Sequence, residues 1–98
     1  MIDSAAILKK HIGGLTLTDQ EREDIGATFR RLVEVGADAA KGSDVASEMI
    51  QLNAQIALWR SGAMSATYSA LKDAAKEYAE EAGKILIKVL SGAIGAAI

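Results

Sequence analysis

The sequence predicts an all-α fold: a short N-terminal helix, then a helical hairpin whose second arm is one long alanine-rich helix over about residues 44–90, built to self-associate. Three observations carry this. The 98 residues include no proline, so no position forbids a helix interior. Apolar residues recur at three- and four-residue steps, without the strict alternation of a half-buried strand. Half the residues are hydrophobic but only 4% are aromatic, and alanine dominates the apolar set, which suits close helix packing in one small domain.

Asp3 or Ser4 can cap a first helix running to about Ile12, and Gly13 and Gly14 end it, giving an N-terminal unit over 1–14. Ile2, Ala6 and Ile7 supply its docking face. Thr18, Asp19, Gln20 and Glu21 match a capping box, with Leu17 as the apolar residue before the cap. Asp19, Glu21, Glu23 and Asp24 then suit the positive end of the helix dipole. The second helix, over 18–42, carries an apolar stripe at Ile25, Phe29, Leu32, Val33, Gly36, Ala37 and Ala40. Its outer face holds Arg22, Arg30, Arg31, Glu34 and Asp38. Gly42 followed by Ser43 is a stop and then a start, and so short a connection predicts an antiparallel hairpin in preference to a kinked continuation.

The third segment, 43–84, is read as one helix. Residues 49–71 hold a single charge, Arg60, and a helix without a charged face has no side to turn to water. Gly62, Ala66, Ala70 and Ala74 repeat at four-residue spacing beside Ser61, Ser65 and Ser69, which predicts a smooth strip for a closely approaching backbone. Met64, Tyr68, Leu71, Ala75, Tyr78, Ala82, Ile85 and Val89 follow steps of four and three along a second seam. Trp59 and Arg60 read as an anchor at a subunit interface, the guanidinium needing a carboxylate, a carbonyl or water. Gln51, Asn53 and Gln55 can hydrogen-bond between helices. The expected helix–helix interface is thus Trp59, Arg60, Gly62, Met64, Ala66, Tyr68, Ala70, Leu71, Ala74 and Tyr78. An arm over 18–42 covers only part of so long a helix, and the uncovered remainder predicts a homo-oligomer or neighbouring helical subunits.

From 72 to 84 the chain becomes charged, with Lys76 and Glu80, then Glu80 and Lys84, spaced as ion pairs on a solvated face. The tail, 85–98, has Lys88 as its one charge. As a helix it would span roughly 21 Å, short of the roughly 30 Å hydrocarbon core, so a lone membrane span is not expected. The tail is instead expected to meet lipid or another subunit through Ile85, Leu86, Val89, Leu90, Ile94 and Ile98.

A net charge of −2 with acids and bases interspersed gives no basic field for nucleic acid. The absence of cysteine excludes disulfides and thiolate metal sites, and the single histidine, His11, has no second ligand at metal spacing. His11 is expected to be a cation at a helix C-terminus or a surface residue. Glu80 and Glu81, as helical neighbours, do not face each other for acid–base work. No catalytic, cofactor-binding or metal site is therefore expected, and no enzyme. The N-terminus has an acid before its apolar residues and its lysines after them, so no signal peptide is expected either.

The ending IKVLSGAIGAAI, with Gln55 four residues before Trp59, resembles type III secretion needle subunits and implies a rod-like assembly role. The sequence departs from that family in its longer tail after Trp59 and in lacking a proline-bearing turn. Secreted WXG-type hairpins need a Trp-x-Gly turn, but here Arg60 and Ser61 separate Trp59 from Gly62. Phage holins are similarly short and apolar but carry full spans. The expected function is a non-enzymatic structural subunit packing side by side in a larger particle or conduit, a phage virion, tail or ejection component first. The alternatives are a membrane-active protein inserting its C-terminal helix on oligomerisation, a needle- or rod-like secretion subunit, or a small adaptor for one partner helix.

Overall fold

Local start and stop signals divide the chain into helices α1 Ser4–Ile12, α2 Asp19–Ala40, α3 Ala46–Arg60, α4 Ser65–Ala82 and α5 Lys84–Ile94. The computed structural model describes residues 2–62, 64–96 and 98, with the side chains of residues 84 and 85 outside that description. No strand occurs among the described residues, as the helical periodicity predicts.

The first two helices begin where their caps dictate. Asp3 Oδ1 accepts from the Ala6 backbone N–H at 3.0 Å, and Lys9, Lys10 and His11 occupy the negative end of α1. At α2 the capping box closes in both directions: the Glu21 N–H donates to Thr18 Oγ1 at 3.1 Å, and the Thr18 N–H donates to Glu21 Oε1 at 3.0 Å. These bonds favour ionised Glu21 and hold its carboxyl below the usual range. Thr18→Ala is expected to destabilise the fold by about 1 kcal/mol, within roughly 0.5–2, and Thr18→Ser by far less. Urea titration of both variants checks this, and equal stabilities would mean that the cap contributes nothing. After Gly42, which has positive φ, α3 starts three residues later than Ser43, where Asp44 Oδ1 accepts from the Ala46 N–H at 3.1 Å.

The long second arm expected over 44–90 is replaced by three helices. A continuous helix of that length would measure roughly 70 Å, whereas the longest dimension of the molecule is 37 Å. The first break follows Arg60. There the Ser61 hydroxyl and N–H both donate to the Ala57 carbonyl, at 3.0 and 3.1 Å, and Gly62 N–H turns back to Trp59 O. The second break is Gly83, at φ 121° and ψ 166°, a backbone region open essentially to glycine alone. Gly83 thereby ends α4 and begins α5.

The breaks let the apolar tail turn inward. α5 packs on α2, α3 and α4 together, which suits the most apolar helix in the chain. Leu86, Leu90, Ala93 and Ile94 are buried in the same core as Ile25, Phe29, Leu32, Ile56, Leu71 and Ala75. Gly36 makes the approach of α2 to α5 possible, since a Cβ there would lie 3.0 Å from Leu86 Cδ2. Phe29 and Tyr78 meet edge to face, with ring centroids 6.4 Å apart. α1 lies mainly on α4 and closes the far side with Ile7, Leu8 and Ile12. The radius of gyration, 12.4 Å, matches the roughly 13 Å of a self-contained globule of this length. The uncovered helix length that argued for a partner is therefore covered by the chain's own α5.

Candidate functional site

The face that stands out is the outer side of α3. Its inner side buries Leu52, Ile56 and Trp59, and its outer side carries Ile50 at 71% exposure and Leu58 at 74%. Ala46 and Ala54 continue the same row at four-residue spacing, and both are exposed. α3 therefore has almost no amphipathic contrast: it is apolar toward the core and apolar toward water. No charged side chain interrupts the row, with Ser47 and Gln51 beside it. Around the first break the uncharged residues Ser61, Gly62, Ser65, Ala66 and Ser69 are exposed as well. At the seam of α3 with α5, Ala46, Met49, Ile50, Asn53 and Gly92 line an open groove of about 440 Å³. The other helices differ, with α2 and α4 turning Arg22, Arg30, Arg31 and Glu34, and Asp73, Lys76, Glu80 and Glu81, to solvent.

Arg60, the lone charge of residues 49–71, serves the fold. Its Nη1 donates to the carbonyls of Ile94 at 3.4 Å and Gly95 at 3.1 Å. A guanidinium there satisfies carbonyls that α5 leaves unpaired and sits at the negative end of its dipole. Gly95 takes a left-handed φ of 79°, and a Cβ on it would run into the Arg60 and Asn53 side chains. Asn53 Nδ2 donates to Gly92 O at 3.5 Å, and Gln55 Nε2 donates to Oγ1 of the buried Thr28 at 3.1 Å. Asn53, Gln55 and Arg60 are thus used within the chain, away from the outer row of Ala46, Ile50, Ala54 and Leu58.

The residues expected at a helix–helix interface separate into two groups. Trp59, Ala70, Leu71, Ala74 and Tyr78 are buried in the chain's own core, and Met64 and Tyr68 are half-buried against it. Gly62 and Ala66 are exposed, as is Arg60 beyond its bonds to α5. The small-residue strip is therefore not one continuous surface: its first half faces water and its second half faces the core. In the tail, Leu86, Leu90 and Ile94 are core residues, Val89 and Ile98 are half-buried, and Ile85 lies outside the described side chains. Among the described residues no helix is long and apolar enough to cross a membrane. Ile50 and Leu58 are absent from the interface expected from the sequence; their eight-residue spacing in the stretch between Glu48 and Arg60, which holds no charge, was the available signal.

The charged cluster lies elsewhere, where α1 ends against α4. Lys10 Nζ stands 2.8 Å and His11 Nε2 3.3 Å from Glu77 Oε1. The hydrogen bond from Lys10 holds the Glu77 carboxyl below its usual range, and the same bond raises the Lys10 ammonium. The cluster ties the C-terminus of α1 to α4. Lys76 and Glu80 form no ion pair, and the Glu80–Lys84 pair lies outside the described side chains. Among the described residues no group of three His, Cys, Asp or Glu is placed to hold a metal ion. No family model, no curated protein and no solved structure matches this chain.

Proposed function

We propose that this chain is a non-enzymatic assembly subunit whose copies pack on one another through the outer face of α3. The observation that carries the proposal is the pair of large apolar residues, Ile50 and Leu58, at 71% and 74% exposure on an uncharged helix face. A soluble domain gains nothing from such a row in water, and exposed apolar rows of this kind mark contact surfaces. The row is also self-complementary. Two antiparallel copies of α3 related by a two-fold axis at Ala54 would set Ile50 against Leu58 of the second copy, with small Ala54 at the crossing. A partner with a charged surface would bury its charges against this face without a counterion, which favours another copy.

A single helix pair about 22 Å long covers less than the roughly 800 Å² per partner of a standard interface, so the contact is of the weak, concentration-dependent class. Continuation onto the exposed Gly62, Ser65, Ala66 and Ser69 would enlarge it. An isologous contact closes at two copies. The proposed role is that of a two-copy building block that enters a larger particle or conduit through other faces, a virion or tail component being one such setting.

Sedimentation equilibrium of the full chain over a concentration series tests this. The mass should rise toward that of two copies, and Ile50→Glu or Leu58→Glu should hold it at one. Both variants should keep the parent's stability to within about 0.5 kcal/mol, because the sites are exposed. A parent chain that stays single at every concentration, or variants that associate like the parent, would refute the proposal.

A further inference from the structure

A second surface feature stands apart from α3. Between α1 and α2 the buried side chains of Leu8, Ile12 and Phe29 line a slot of about 270 Å³ whose wall includes Gly26 and whose rim carries Lys9 and Arg30. Gly26 has no structural explanation in the fold. It sits inside α2, where glycine lowers helix stability relative to alanine, and its φ is not positive. A Cβ at Gly26 would meet nothing within 4 Å, unlike those at Gly36 or Gly92, which would strike Leu86 and Met49. The missing side chain therefore leaves open the space that the slot occupies.

Charge selects the occupant. Lys9 and Arg30 are exposed, form no ion pair among the described residues, and no acidic side chain described here lines the slot. One turn of an α-helix, about 10 Å across and 5.4 Å long, fills roughly 400 Å³, more than the slot's 270 Å³. The slot is therefore too small to enclose a helical turn, and a single alkyl chain suits it better. We infer that the slot takes a free, single-chain amphiphile with one anionic head, a fatty carboxylate, its alkyl chain along Leu8, Ile12 and Phe29 and its carboxylate between Lys9 and Arg30.

The test is titration of the full-length chain with decanoate below its micelle threshold, followed by NMR shifts and thermal midpoint. Saturable shifts at Leu8, Ile12, Gly26 and Phe29 are expected, with no saturable response to decyltrimethylammonium. Gly26→Leu should raise the thermal midpoint of the free protein and abolish decanoate binding, an opposed pair of effects that general destabilisation does not produce. Should that variant not fold, the double change Lys9→Glu and Arg30→Glu decides: it keeps the apolar lining and should weaken decanoate binding by roughly tenfold, since each lost attraction becomes a repulsion. The inference is overturned by unsaturable or absent decanoate shifts, by equal binding of the cationic amphiphile, by undiminished binding in Gly26→Leu, or by association with anionic lipid vesicles in the absence of any response to free decanoate.

Discussion

Leu90→Ala is expected to destabilise the protein by about 2–5 kcal/mol, the range for a buried leucine whose surroundings collapse only in part. Leu90 is 1% exposed and lies on the face of α5 that meets α2, α3 and α4, beside Ala93 and Ile94 at 0%. Three helices would have to move to refill the space, which puts the loss toward the upper part of the range. Domains of this size are stable by only about 5–15 kcal/mol, so the variant should show a large fall in the urea midpoint. Lys88→Met, on the exposed side of the same helix, serves as the control and should change stability little. A Leu90→Ala variant as stable as the parent would mean that the tail is not part of the folded core.

Gly83→Ala is expected to destabilise by about 1–3 kcal/mol, the strain of holding a residue with a Cβ in a glycine-only backbone region. Nothing lies within 4 Å of where that Cβ would sit, so the effect comes from the backbone and not from a clash. The sign is what makes the variant informative. If α4 and α5 were one continuous helix, the same change would remove a helix-interior glycine and stabilise by about 0.5–1 kcal/mol. Thermal and urea midpoints of the one variant therefore distinguish the broken arm from the continuous one by opposite shifts.

What the sequence revealed and what it hid divide along the range of the physical signal. α1 and α2 were legible because their starts are written in adjacent residues: Asp3 reaches Ala6, and Thr18 and Glu21 bond each other across three positions. The break at Gly83 was not legible, because Glu80 and Lys84 keep helical spacing across it and an isolated glycine is often tolerated inside a helix. Only the φ of 121° shows that this glycine turns the chain. Burial of the tail was hidden for a related reason. Periodicity marks which side of a segment is apolar and says nothing about what covers it, so Leu86, Leu90 and Ile94 suited lipid, a second subunit or the chain's own core equally well. Arg60 was readable as a group needing a carbonyl, a carboxylate or water, but that the carbonyls belong to Ile94 and Gly95 follows only from the return of α5. Ile50 and Leu58 lay inside the uncharged run that predicted a helix with two contact faces, yet their exposure is a consequence of which side of α3 meets α5.

Amide hydrogen exchange of the full chain, in dilute and detergent-free solution, tests most directly whether the tail is a folding element. The α5 amides should exchange as slowly as those of α2, and their protection should not depend on protein concentration or on added lipid, because the helix packs on α2, α3 and α4 of its own chain. Protection of α5 that emerges only at high concentration would make the tail an assembly contact, and protection that emerges only with lipid would make it a membrane contact. Either result would contradict the five-helix core on which the proposed role of the α3 face depends.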